Sequence, residues 1–265
     1  MFRDYTILLW LLKLGSLINL YFLVNTGLLA SGNADAYIVL PAQILFAVSA
    51  YRCLFPVRYE HNVVFHDSIL SSIFVTRLFA TFSEIAYIFL FSHVLRLLNI
   101  DHVGWVIALS WLMVVQVVIS QGLVWAALLT EQLALYYYEE LGWFLIFLAN
   151  TSASAYLYLT VGGVGSREAL LRLNMLFGIV YLPWQVIHLT TLRASAKSNS
   201  GKRGTGSPSI SMRLATGLKR AVLLKTRRTD ADSWGGLIGL TWMTGYWATL
   251  IPIWVYYVLR VLCPR

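Results

Sequence analysis

The chain has 265 residues, of which 58% are hydrophobic and only 12% charged, and its mean hydropathy is +0.69. That composition excludes a disordered chain and, with several apolar runs of about twenty residues or more, a soluble domain built on one core. Two cysteines exclude a disulfide scaffold, and a net charge of +8 gathered mostly in one segment points to membrane sidedness rather than to nucleic acid.

The apolar runs, in chain order, are Thr6–Ala30, Tyr37–Leu54, Ile69–Leu98, Val103–Leu129, Leu141–Val161, Leu170–Leu192 and Gly236–Cys263. A helix needs about 20 residues to cross about 30 Å of hydrocarbon. The expected fold is therefore all-α, a polytopic transmembrane helix bundle of about seven spans in a single domain, residues 1–265. Six is the alternative count, because the second run is short and the fifth carries Asn150-Thr151-Ser152. The first run is too long for the apolar region of a cleaved signal peptide and is expected to stay as a span. The strict alternation of a membrane β-barrel is absent.

Between the sixth and seventh runs lies a basic hydrophilic segment, residues 194–233. Ser195–Pro208 is small and polar, which suits a flexible linker. Ile210–Arg228 places Leu214, Leu218, Ala221 and Val222 at helical spacing, with Arg213, Lys219 and Arg220 on other faces. This pattern predicts a short amphipathic helix at the interface, in contact with anionic headgroups. With seven spans, thirteen Lys and Arg fall on the side of this segment and five on the other. The positive-inside rule then puts the N-terminus inside and the C-terminus outside.

Ionisable residues inside a span are costly and point to function by default. The third run carries Arg77, Thr81 and Glu84 on one helical stripe, with Arg77 and Glu84 about 10 Å apart along the axis. They meet only if Arg77 extends. Gln43, Gln121, Asn150, Gln185 and His188 fall in other spans and, with the stripe, are the candidates for lining a polar cavity open to the inner side. Arg58, Glu60, His61, His66, Asp67, Glu139 and Glu140 form a polar cluster expected at the inner surface. Within it, His61, His66 and Asp67 are a weak metal candidate, since a spacing of five does not put both histidines on one helical face. No metal site or cofactor is predicted. HExxH, CxxC and the histidine boxes of membrane-bound oxygenases are all missing.

Leu40-Pro41-Ala42-Gln43 and Leu182-Pro183-Trp184-Gln185 read alike, and their offset would match spans one to three with spans five to seven. Broken helices in repeats are a feature of carriers. The sequence thus favours a small-solute carrier or channel-like protein. The alternatives are a non-catalytic accessory or assembly subunit of a larger membrane complex, and a lipid-modifying enzyme working from the inner-surface cluster. The missing catalytic signatures argue against the enzyme. The expected partners are the lipid bilayer, anionic headgroups at the basic segment, and further protein chains or copies of this one. Bacterial plasma membrane, endoplasmic reticulum and mitochondrial inner membrane all suit the charge pattern.

Overall fold

The structure, a computed structural model, describes residues 4–30, 34–59, 62–160, 165–200 and 209–263. The helices are α1 (Thr6–Ala30), α2 (Ala36–Leu54), α3 (Ile73–Leu98), α4 (Gly104–Thr130), α5 (Leu133–Thr160), α6 (Ser166–Ser200), α7 (Ile210–Leu223), α8 (Gly236–Thr241) and α9 (Ile251–Leu262). A π-helix, Trp242–Leu250, joins α8 to α9. Three two-residue strands, β1 (Val57–Arg58), β2 (Val63–Val64) and β3 (Thr226–Arg227), complete the set. The protein is a helical, integral, multi-pass membrane protein: six of its helices are long and apolar enough to cross a bilayer. α5 is not among the six, although at 28 residues it has the length. Its polar content, from Glu139 and Glu140 to Asn150-Thr151-Ser152, makes the difference.

Each apolar run falls on helix, and the boundaries move for local reasons. Ile69–Ser71 forms a 3-10 helix, so α3 starts at Ile73 rather than Ile69. α5 starts eight residues before Leu141, because nothing in Leu133–Glu140 breaks a helix. α6 runs on through Ser200, well past Leu192, because the chain meets no glycine or proline before Gly201. The expected linker is therefore helical in its first six residues, Ser195–Ser200, and residues 201–208 lie outside the described ones.

The chain divides into two compact units, Met1–Tyr87 with Leu218–Arg265, and Ile88–Gly217. In the first, α1 and α2 run antiparallel, and Gly15 lets α1 close on the π-helix and on α2: a Cβ there would stand 2.9 Å from the Ala248 Cβ and 3.2 Å from Cys53 Sγ. The π-helix has an identifiable consequence. In π geometry the Trp247 carbonyl would accept from the amide five residues on, which is Pro252 and has no N–H. Asn19, fully buried on α1, supplies the donor instead: its Nδ2 reaches the Trp247 carbonyl at 3.2 Å and the Gly15 carbonyl at 2.8 Å.

One end of this unit is closed by a small cap. β1 pairs antiparallel with β2, and β2 pairs parallel with β3, so chain segments more than 150 residues apart share one sheet. Asp4 bridges to Asp230, and Tyr5 donates to the Thr229 carbonyl at 2.8 Å. Tyr5, Leu9, Val63, Phe65, Ala231 and Trp234 form the cap's apolar core. The start of α1, the segment between α2 and α3, and the segment after α7 thus lie together.

In the second unit α4, α5 and α6 pack as antiparallel neighbours. Gly142 admits Ser120 and Gln116 of α4, and Gly178 admits Thr151, whose hydroxyl would collide with any Cβ there. Gly217 of α7 sits against the Leu129 carbonyl at the end of α4, again with no room for a Cβ. Within the first unit, the last span packs with α1 and α2.

Candidate functional site

On α3, Arg77 and Glu84 form a direct ion pair: Arg77 Nη2 donates to Glu84 Oε2 at 2.7 Å. The guanidinium extends along the helix to cover the two turns between them. Their side chains are only 5% and 12% exposed, so the pair is shielded on both members. The Thr81 hydroxyl, on the same stripe, donates to the Arg77 carbonyl at 3.0 Å.

In the second unit, Gln185 of α6 reaches across to α5. Its Nε2 donates to the Glu140 carbonyl at 2.9 Å and to Glu140 Oε2 at 2.7 Å. His188, one turn further along α6, places Nε2 3.6 Å from Glu140 Oε1 and stacks on Trp184. The side chains of His188 and Glu140 are 33% and 25% exposed, whereas Gln185 is fully buried. Glu139 turns the other way, is buried, and accepts from Trp143 Nε1 at 2.8 Å. Ser120 and Gln121 are buried on the facing side of α4, with the Ser120 hydroxyl 3.4 Å from the Glu139 carbonyl.

Further along α5 and α6 comes an aromatic layer, then a polar one. Phe147 lies 4.9 Å from Phe177 and 4.7 Å from Tyr181 between ring centroids, and Phe91 closes on Phe147 at 5.7 Å. Beyond these rings stand Asn150 and Ser154 on α5 and Asn174 on α6, all fully buried. Both side-chain atoms of each asparagine, and the Ser154 hydroxyl, have no hydrogen-bond partner among the described residues. The register set by Gly178 opposite Thr151 puts Asn174 level with Ser154 and one turn from Asn150.

Arg58, His66 and Asp67 of the expected inner-surface cluster each find partners within the first unit. Arg58 donates to the carbonyls of Asp232 and Ser233 in the cap, at 3.3 and 3.1 Å. His66 Nε2 is 2.7 Å from Lys13 Nζ, and Asp67 pairs with Lys225 at 3.2 Å. Burial first, then the charges of Lys13 and Arg227, hold the His66 imidazole below its ordinary pKa. Arg58, His66 and Asp67 belong to the first unit, Glu139 and Glu140 to the second. Glu60 and His61 lie outside the described residues, and among those described no three His, Cys, Asp or Glu side chains are placed to hold a metal. Gln43 is half-buried on α2, with its Nε2 4.0 Å from where a Cβ of Gly27 would stand.

Sequence reasoning missed Asn19, Ser154, Asn174 and Lys13 as members of buried or paired polar sets. Asn19 and Asn174 each carried a signal, an amide inside an apolar run. Comparison with family models, with curated proteins and with solved structures finds no match for this chain. What fold and site together define is a class: an integral, multi-pass, helical membrane protein.

Proposed function

We propose that this protein is a carrier or channel-like protein for a small, uncharged polar solute, with the α4–α5–α6 unit as the path. The observation that carries this reading is the layer formed by Asn150, Ser154 and Asn174. Five buried polar atoms without protein partners would each cost about 1–3 kcal/mol if left unmet. Their natural complement is something that both donates and accepts hydrogen bonds, as amides and hydroxyls do: a solute hydroxyl or amide, or the water that accompanies it. The Glu140, Gln185 and His188 cluster is the mouth of this path, and Phe147, Phe177 and Tyr181 are the constriction between mouth and layer. Arg77 and Glu84, already joined to each other, are structural in this reading.

The test is solute-driven shrinkage of proteoliposomes, followed by light scattering with glycerol and urea. Permeability above that of protein-free vesicles is expected for at least one solute. Asn150→Leu and Asn174→Leu should abolish the excess while leaving folded protein in the membrane. Equal flux in wild type and both variants, or no excess for any neutral solute, would remove the reading.

In the same reading the cap faces the inner side. It gathers the chain around Asp4, Arg58 and Arg227, on the side that carries thirteen of the loop and terminal cations. In sealed, oriented vesicles a Ser200→Cys variant is expected to react with impermeant maleimide only from the inner face. Labelling from the outer face alone would invert the orientation.

A further inference from the structure

Lys13 is a cation within the first span, three residues from Trp10 and four from Leu17. Its neighbours Ile7, Trp10, Leu11, Leu14 and Leu17 are all exposed and form the lipid-facing side of α1. Among the described residues, the Lys13 ammonium bonds no carboxylate. It lies 2.7 Å from His66 Nε2, 4.6 Å from the centre of the Trp10 ring and 5.8 Å from that of Phe65. The nearby carboxylate, Asp67, is taken by Lys225. Histidine brings no negative charge in either protonation state, and the lowered His66 pKa favours the neutral ring, which can accept from the ammonium. Arg227, close enough to act on His66, adds another positive charge. The corner therefore carries an excess of positive charge at the edge of the lipid-facing surface.

An ammonium has three donors. One goes to His66 and one points over Trp10. A third is left for a ligand. Lys13 stands seven residues, about 10 Å, from the start of α1. Its four-carbon stem carries the charge back toward the interface, where lipid phosphates and tryptophan rings both lie. With Nε2 accepting from Lys13, the proton of the neutral imidazole sits on Nδ1 and gives a second donor. We infer that Lys13, His66 and Trp10 hold the phosphate of a phospholipid headgroup, with its acyl chains along the exposed face of α1.

The inference is independent of the solute path and is tested on the full chain purified in mild detergent. Native mass spectrometry and thermal unfolding are followed as dimyristoyl phosphatidylglycerol, dimyristoylglycerol or inorganic phosphate is added. The expected result is a bound-lipid peak and a rise in Tm with the phospholipid, and neither with the diacylglycerol, which has the same tails but no phosphate. Lys13→Gln should lose the peak and the rise, whereas Lys13→Arg should keep both. An equal response to the diacylglycerol would mean that only the tails bind. An equal rise with inorganic phosphate would mean a free-anion site. Retention of the peak in folded Lys13→Gln would remove the lysine from it. Any of these overturns the proposal. If Lys13→Gln does not fold, His66→Gln takes its place, with a weakened peak expected and an unchanged one counting against the site.

Discussion

Arg77→Leu is expected to destabilise the protein by about 3–5 kcal/mol, the cost of breaking a buried ion pair from one side. The cause is the partner left behind. Glu84 sits at mid-helix with its side chain 12% exposed, and Arg77 bonds it at 2.7 Å. Once the guanidinium is gone, the carboxylate must either stay charged in a poorly solvated place or take up a proton. Glu84→Gln is expected to be milder, because an amide keeps the volume and can still accept from the guanidinium. Removing both charges, as in Arg77→Leu with Glu84→Leu, should recover much of the loss, since desolvation of the pair offsets most of its attraction. Thermal unfolding of the three variants in detergent reads this directly. If Arg77→Leu alone melts with the wild type, the pair does not hold the fold. If the double variant is as unstable as the single one, the loss comes from packing of the arginine stem rather than from a stranded charge.

What the sequence shows of this fold follows from how local each feature is. A span is a property of twenty consecutive residues, so every apolar run falls on helix. The Arg77 and Glu84 stripe is likewise local, two turns of one helix, and only the reach of the arginine is set by the fold. The cap is different. Val63-Val64 and Thr226-Arg227 are two-residue strands more than 150 residues apart, with no alternation long enough to register as a strand. Asn19 is different again: its role follows from Pro252, 233 positions away, which deprives Trp247 of its backbone donor. The candidate site divides along the same line. Asn150 and Gln185 stand out as amides in apolar runs. That Gln185 finds Glu140, while Asn150 finds no protein partner, depends on the register of α5 against α6, and glycines set that register where a Cβ would collide.

The cap makes the second large prediction. Trp234 is fully buried, its Nε1 donates to the Arg228 carbonyl at 2.8 Å, and its ring fills the space between Tyr5, Leu9, Val63 and Phe65. Beside it, Gly235 has φ +81°, and a Cβ there would stand 2.6 Å from Arg58 Nη1. The turn that delivers the tryptophan is thus tightly closed over the arginine that holds the Asp232 and Ser233 carbonyls. Trp234→Ala should cost about 3–5 kcal/mol through lost burial and the cavity left behind. The damage should be local before it is global, because the spans keep their own hydrogen bonds within each helix. Hydrogen exchange of the Arg228 amide, which donates to the Val64 carbonyl at 3.2 Å, is therefore the sharpest readout. Its protection should collapse in Trp234→Ala while amides at the centre of α4 stay protected. Trp234→Phe, which keeps most of the ring volume and loses the hydrogen bond, should fall between. Protection of Arg228 unchanged in Trp234→Ala would mean that the short sheet holds itself, and that the buried indole is not what joins the segment after α7 to the start of α1.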